Sequence, residues 1–205
     1  MHDTSYYAMM RFVAVYLRIP GNLRILDVGS MNVNGTYEAL FRRPGWTYQG
    51  CDTAPGDNVD IVLEKPYDWT GIPSEDYDVV VSGQSFEHIE YIWVTISEIA
   101  RVLKPGGYCC IIAPSTGPEH KYPYDCWRIY PDGMRTLAKY AGLSVIEATT
   151  DWHSRGIWHD SVLIAQKPNY AAGEADLMRA RNRLARLTVN DADLREWMKR
   201  NPSAY

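Results

Sequence analysis

Hydrophobic side chains along this chain fall into two patterns, short apolar runs and longer stretches with helical spacing. The run that contains Ile25, Leu26 and Val28 is typical of a buried strand. Over residues 89–103, apolar side chains instead recur every three or four positions, which predicts an amphipathic helix with one buried face. Strands that alternate with helices indicate an α/β fold. We predict strands at residues 24–28, 46–51, 59–63, 77–82, 108–113, 143–149 and 161–167.

The last two predicted strands are joined by a loop of about ten residues, whereas a crossover between parallel neighbours takes a dozen or more. They are therefore expected to form an antiparallel pair. The sequence thus predicts a doubly wound sheet of about seven strands, with one antiparallel strand near the edge. Helices are predicted over residues 4–18, before the first strand, and from Pro131 to Gly142.

Acidic residues close the first two strands, where an open α/β sheet binds its ligands. Asp27 ends the first strand and is followed by Gly29, which permits a tight turn. Gly35 lets the backbone approach closely near the start of a following helix. Asp52 ends the second strand 23 residues after Gly29, close to the spacing at which a carboxylate binds ribose hydroxyls. These features predict a site for an adenosine-containing ligand.

The glycine pattern of the first loop distinguishes between two such ligands. A dinucleotide fold uses G-x-G-x-x-G so that the pyrophosphate touches bare backbone. Here Met31 replaces the second glycine and Asn34 the third. S-adenosylmethionine (SAM) carries a ribose and an adenine but no phosphate, so it tolerates side chains at these positions. The loop therefore favours SAM over a nicotinamide dinucleotide.

The middle of the chain resembles the class I SAM-dependent methyltransferases. In that family an acid precedes the fourth strand, and the motif L-K-P-G-G leads into the fifth. Here Asp78 precedes Val79, and residues 103–107 read Leu-Lys-Pro-Gly-Gly. The resemblance covers roughly residues 20–167 and implies a Rossmann-like fold, SAM as the cofactor and methyl transfer as the activity. The family's G-x-G-x-G loop is reduced here to the two glycines Gly29 and Gly35.

Composition limits the remaining possibilities. The chain has 205 residues, 46% of them hydrophobic and 22% charged, which suits one domain with a real core. No apolar run is long enough for a membrane span, and the N-terminus does not follow the signal-peptide pattern. A net charge of −4 argues against a general nucleic-acid surface. Four cysteines without a C-x-x-C pair indicate neither a disulfide framework nor zinc, so we expect a cytoplasmic protein.

The resemblance suggests a set of cofactor-binding residues. Asp52 is expected to bind the ribose, and the loop that starts at Gly29 the methionine part. Residues 82–84 are expected to border the methyl group, while Thr53 and the stretch near Asp68 and Trp69 flank the adenine. The complete set is Asp27, Gly29, Ser30, Gly35, Asp52, Thr53, Asp68, Trp69, Ser82, Gly83 and Gln84.

The loop after the fifth strand, residues 114–133, is the candidate acceptor region because it combines aromatic, polar and proline residues. His120 is the first candidate general base, unless it is a plain surface histidine. His88 is the second, at a helix start whose positive end keeps it neutral, unless it only makes a structural hydrogen bond. The acceptor-binding candidates are Tyr124, Asp125, Trp127, Arg128, Tyr130 and His159.

Two of these assignments have simpler alternatives. Asp125 and Arg128 either pair with each other or hold acceptor hydroxyls. His153 and His159 lie near Asp160, but their spacing matches no metal motif, so we expect no catalytic metal.

The composition changes after Pro168. We predict a methyltransferase domain over residues 1–168 and a helical extension over residues 169–205. The extension either covers the side of the domain, forms a homodimer through residues 174–200, or uses its arginines to bind acidic lipid or RNA.

The expected function is SAM-dependent transfer of a methyl group to a hydroxyl or amine of a small-molecule or glycan-type acceptor. Neither nucleic acid nor a membrane is expected as a partner. The alternatives are a non-catalytic methyltransferase-like binding subunit and, less favoured, a nicotinamide-dependent oxidoreductase.

Overall fold

The computed structural model describes residues 3–18, 21–154 and 156–202. Its centre is a seven-stranded sheet with the strand order β3-β2-β1-β4-β5-β7-β6. The strands are β1 (Leu23–Val28), β2 (Trp46–Asp52), β3 (Ile61–Val62), β4 (Tyr77–Gly83), β5 (Leu103–Pro114), β6 (Ser144–Thr150) and β7 (Asp160–Gln166).

The direction of β7 confirms the predicted fold class. The strands β1 to β5 pair in parallel with one another, whereas β7 runs antiparallel to both β5 and β6. One reversed strand next to the edge is the arrangement that the short connection between the last two strands predicted.

Helices cover both faces of the sheet. The helix α1 packs on one face through Met9 and Phe12, and α3 packs on the other through Ile96 and Ile99. The adjacent Cys109 and Cys110 of β5 are fully buried and belong to the cores on opposite faces. The helices are α1 (Asp3–Tyr16), α2 (Glu38–Phe41), α3 (Ile92–Val102), α4 (Pro131–Tyr140), α5 (Ala172–Thr188) and α6 (Asp191–Arg200).

One local prediction about the edge of the sheet is wrong. The third strand has two residues rather than five. Just before it, the Asp60 N–H donates to the Gly50 carbonyl at 2.9 Å, but the Gly50 N–H donates to the Asp60 side chain at 2.8 Å and not to a strand carbonyl. The helix predicted near Gly35 is present as the single turn α2, which begins at Glu38.

The C-terminal helices contact the domain unequally. In α5, the amide of Asn182 donates to the buried Glu98 carboxylate of α3 at 2.8 Å. The outer face of α5 carries Leu177 and Leu184, each 54% exposed. The helix α6 buries none of its residues. The boundary after residue 168 stays a prediction. Among the described residues, no helix combines the length and apolar character that crossing a bilayer requires.

Candidate functional site

A cavity of about 640 Å³ opens at the carboxyl ends of β1, β2 and β4. Its volume lies within the range of small-molecule sites. Of the residues predicted from the sequence, the cavity wall includes Gly29, Asp52, Thr53, Trp69, Gln84, His88 and Tyr124. The structure thus brings together part of the predicted cofactor set and part of the predicted acceptor set.

The turn after β1 requires glycine. Gly29 has a φ of +73°, and its N–H donates to the Cys51 carbonyl of β2 at 2.9 Å. A Cβ at this position would lie 2.0 Å from the Ser85 hydroxyl, which donates to the Gly29 carbonyl at 3.2 Å. The loops after β1 and β4 therefore meet at Gly29 and fix this edge of the cavity.

Asp52 presents a carboxylate to the cavity. Its Oδ2 accepts the backbone N–H of Met31 at 3.1 Å, and its Oδ1 accepts that of Thr53 at 2.7 Å. Oδ1 also accepts the Thr53 hydroxyl, at the longer distance of 3.4 Å. A carboxylate has about four acceptor positions, so Oδ2 keeps one for a ligand, and a ligand hydroxyl can replace the Thr53 hydroxyl at Oδ1. The arrangement suits a pair of neighbouring hydroxyls such as those of a ribose.

Several predicted cofactor residues lie behind the cavity wall. Asp27 is 3% exposed and accepts the Tyr48 hydroxyl at 2.5 Å, and burial raises the pKa of its carboxyl to about 7. Ser30 donates to the Asn58 carbonyl at 2.7 Å, and Ser82 donates to the Val28 carbonyl at 2.8 Å. These side chains hold the loops and strands that form the wall.

Three more cofactor candidates also lie outside the cavity lining. A Cβ at Gly83 would meet the Tyr37 hydroxyl at 2.0 Å, so this glycine allows the close approach of Tyr37. The N–H of Gly35 donates to the Asn32 side chain at 2.8 Å. Asp68, predicted to flank the adenine, instead faces α5, where its carboxylate lies 3.8 Å from an Arg186 nitrogen.

The acceptor side of the cavity is formed by His88 and the segment Lys121–Tyr124. His88 ends a 3₁₀ turn, Phe86–His88, rather than starting a helix. Its Nδ1 lies 2.6 Å from the Tyr124 carbonyl. The pKa of His88 is lowered, as predicted, but burial is the main cause rather than a helix end.

His120 lies against His88 from the neighbouring loop, with the ring centroids 4.8 Å apart. Its loop is held by Asp125 and Arg128, which form a two-pronged ion pair with N–O distances of 2.7 and 2.9 Å. Asp125 also accepts the backbone N–H of His120 at 2.6 Å, and hydrogen bonding by Arg128 lowers the pKa of its carboxyl to about 2. Of the two alternatives for this pair, the structure contains the mutual ion pair.

The remaining aromatic candidates lie away from the cavity lining. The Trp127 indole donates to the Ile89 carbonyl at 2.8 Å. Tyr130 stacks on Trp152 at a centroid distance of 6.3 Å, and Trp152 contacts His159 at 5.5 Å. Tyr130 and His159 thus belong to a separate aromatic cluster.

Glu87, which lies beside His88, was not among the residues predicted from the sequence. Its side chain is fully buried, and neither carboxylate oxygen has a hydrogen-bond partner among the described residues. Burial raises the pKa of this carboxyl to about 8. Val33, Leu63, Tyr67 and Ile89, which the sequence did not assign to the site, contribute to the apolar wall. Leu63 ends a predicted strand and Ile89 begins the predicted helical face, whereas Val33 and Tyr67 lie in the loops that follow predicted strands.

Comparison with known proteins gives a consistent result. Residues 26–111 match the family model described as a methyltransferase domain. A comparison with curated protein sequences finds no significant match.

Among solved structures, the chain is similar to a 1,6-didemethyltoxoflavin-N1-methyltransferase from Burkholderia thailandensis that contains S-adenosylhomocysteine. The two share 14% identity over 82% of this chain and 80% of that one, with a TM-score of 0.63. A SAM-dependent methyltransferase from Aquifex aeolicus shares 15% identity over 82% and 99% of the two chains, with a TM-score of 0.57. At such identities the likeness establishes the fold.

Proposed function

We propose that this chain, whose residues 26–111 match a methyltransferase domain, is a class I SAM-dependent methyltransferase that transfers the methyl group to a hydroxyl or amine of a small-molecule or glycan-type acceptor. The observation that carries the proposal is the single cavity that both Asp52 and His88 line. Asp52 is suited to bind a ribose, and His88 is suited to accept the proton that the acceptor loses. The Burkholderia neighbour, a 1,6-didemethyltoxoflavin-N1-methyltransferase, is compatible with this acceptor class.

The residues present fit the cofactor. Asp52 can accept two ribose hydroxyls when one of them replaces the Thr53 hydroxyl at Oδ1. Met31, Leu63 and Trp69 give the same cavity the apolar walls that an adenine needs. When bound, SAM supplies a sulfonium methyl group that is open to direct displacement. The chain's own task is to hold the acceptor in line with that group, and such positioning is worth up to about 7–11 kcal/mol.

His88 is the proposed proton acceptor for a hydroxyl substrate. It lines the cavity, and burial lowers its pKa, so the imidazole is neutral and able to take up a proton near pH 7. His120 supports it from the next loop, while Tyr124 contributes an exposed aromatic surface for the acceptor. The assignment of Asp125 and Arg128 to acceptor binding is replaced by a proposed role in holding this loop.

Two further expectations remain proposals. The exposed leucines Leu177 and Leu184 support a homodimer contact through residues 174–200. The four cysteines are free thiols, which suits a reducing compartment such as the cytoplasm. No observation favours the binding-subunit or oxidoreductase alternatives.

The test is a screen of sugars, amines and phenols with SAM, in which release of S-adenosylhomocysteine is measured. We expect turnover with at least one acceptor class and a loss of about 10²- to 10⁴-fold in His88→Ala. His153→Ala is the matched control, because this histidine is exposed and outside the cavity lining. The proposal fails if no acceptor releases product above the background of the protein alone, or if His88→Ala retains full turnover with a hydroxyl acceptor.

A further inference from the structure

Three side chains with metal-binding atoms converge beside the cavity, and His88 is the one of them that lines it. One atom each of Glu87, His88 and His120 lies within 4.8 Å of the others. Glu87 Oε1 lies 3.7 Å from His88 Nε2. Two imidazoles and one carboxylate form a ligand set that binds divalent transition-metal ions and leaves coordination positions open.

The burial of Glu87 is a second observation that suits a cation at this position. Its side chain is 0% exposed, and both oxygens lack a hydrogen-bond partner among the described residues. A buried carboxylate without partners is strongly unfavourable, so it must carry a proton or face a cation. The nearby guanidinium of Arg128 already donates from both terminal nitrogens to Asp125.

The surroundings of the two histidines suit metal binding. The Nδ1 of His88 is occupied by the Tyr124 carbonyl at 2.6 Å, which leaves Nε2, the nitrogen facing Glu87, for an ion. Such a hydrogen bond from the second nitrogen is what orients metal-binding histidines in general. His120 side-chain atoms are 36% exposed, so solvent and an acceptor reach the cluster.

We propose that Glu87, His88 and His120 bind a divalent transition-metal ion such as Zn²⁺ or Mn²⁺ at the edge of the acceptor site. Metal–ligand distances of about 2.0–2.2 Å bring ligand atoms to within roughly 3.5 Å of one another. Binding therefore requires the three groups to draw together by about 1 Å. Because His120 lies on a loop while Glu87 and His88 lie in one 3₁₀ turn, we expect His120 to make most of this movement.

The role of the ion rests on the proposed function, whereas its binding does not. An ion with three protein ligands has room for an acceptor hydroxyl and lowers the pKa of a hydroxyl bound to it. With the ion bound, the two histidines are ligands and the proton passes to solvent, so the proton-acceptor role proposed above for His88 applies to the metal-free protein only. A hydroxyl acceptor would be both oriented and activated at this position.

The experiment measures metal binding by the full chain without any acceptor. Chelator-treated protein is dialysed and titrated by calorimetry with Zn²⁺, Mn²⁺ and Mg²⁺ in turn. We expect one equivalent of Zn²⁺ or Mn²⁺ to bind more tightly than Mg²⁺. Glu87→Gln and His120→Ala should each weaken binding by on the order of 100-fold or more, and His153→Ala should bind as the wild type does.

Circular dichroism of each variant separates loss of a ligand from loss of the fold, and Glu87→Gln changes the side-chain volume least. The proposal is overturned if the wild type binds no transition-metal ion, or if both ligand variants bind it as tightly as the wild type. In that case Glu87 carries a proton. Metal binding without methyl transfer would instead contradict the proposed function and leave the site standing.

Discussion

Replacing Asp52 tests the ribose assignment most simply. Asp52→Ala removes a carboxylate whose two oxygens accept the N–H groups of Met31 and Thr53 at 3.1 and 2.7 Å. Both N–H groups belong to residues that line the open cavity, so water replaces the lost carboxylate in the free protein. We therefore expect little change in the stability of the fold.

The substitution is expected to weaken binding of the ligand instead. Two hydrogen bonds from ribose hydroxyls to a charged acceptor are worth about 1.5–3 kcal/mol each, or roughly 3–6 kcal/mol together. At 1.4 kcal/mol per factor of ten, this predicts a decrease in affinity of about 10²- to 10⁴-fold. Asp52→Asn retains one acceptor oxygen but turns an N–H₂ group toward a backbone N–H. Its affinity for the ligand should therefore lie between those of Asp52→Ala and the wild type.

The assay is calorimetric titration with S-adenosylhomocysteine and with its 2′,3′-dideoxy analogue. The substitution should weaken binding of the first ligand and leave that of the second nearly unchanged, since the analogue has no hydroxyls to lose. Asp68→Asn is the matched control, because the structure places Asp68 against α5. An affinity of Asp52→Ala within about threefold of the wild type, in a folded protein, would refute the ribose assignment.

Three further predictions concern the scaffold. Gly29→Ala forces a Cβ to 2.0 Å from the Ser85 hydroxyl at a φ of +73°, so it should lower both the midpoint of thermal unfolding and the affinity for SAM; an unchanged midpoint would contradict this. The pKa of Asp27 rises on folding from 3.8 to about 7, so the folded protein favours the protonated carboxyl and loses stability as the pH rises between these values. Relative to Asp27→Asn, which does not titrate, we expect a loss of up to about 4 kcal/mol by pH 8, measured by urea unfolding at several pH values; parallel pH profiles would refute it. Deleting α6, which buries no residue, should change the free energy of unfolding by about 0.5 kcal/mol or less. Deleting α5 as well removes the amide that Glu98 accepts and should cost about 1–3 kcal/mol while the sheet still folds; equal stability of the two truncated proteins would show that α5 does not support the core.

The fold followed from the sequence because its signals are local and repeated. The helical face that includes Ile92, Ile96 and Ile99 is buried as predicted, and the short connection before β7 determined the direction of that strand. Gly29 and Asp52 were also predictable, since strand ends place them at one edge of the sheet. At Gly29 and Asp52, residues close in sequence determine both where the strand ends and which side chain lies at that end.

The acceptor site was less predictable because long-range contacts decide it. Nothing near Tyr130 indicates that it stacks on Trp152 and not on a substrate. Glu87 was missed because a carboxylate is expected at the surface, and only the packing of two loops buries it. The sequence therefore predicted which loops form the site better than which side chains face it.

The central claim is that the cavity between the ends of β1, β2 and β4 binds SAM. Calorimetric titration of the wild-type chain with SAM and, separately, with NADH tests it most directly. The account predicts saturable binding of SAM to a single site and no binding of NADH at comparable concentrations. Tight binding of NADH with none of SAM would contradict the account.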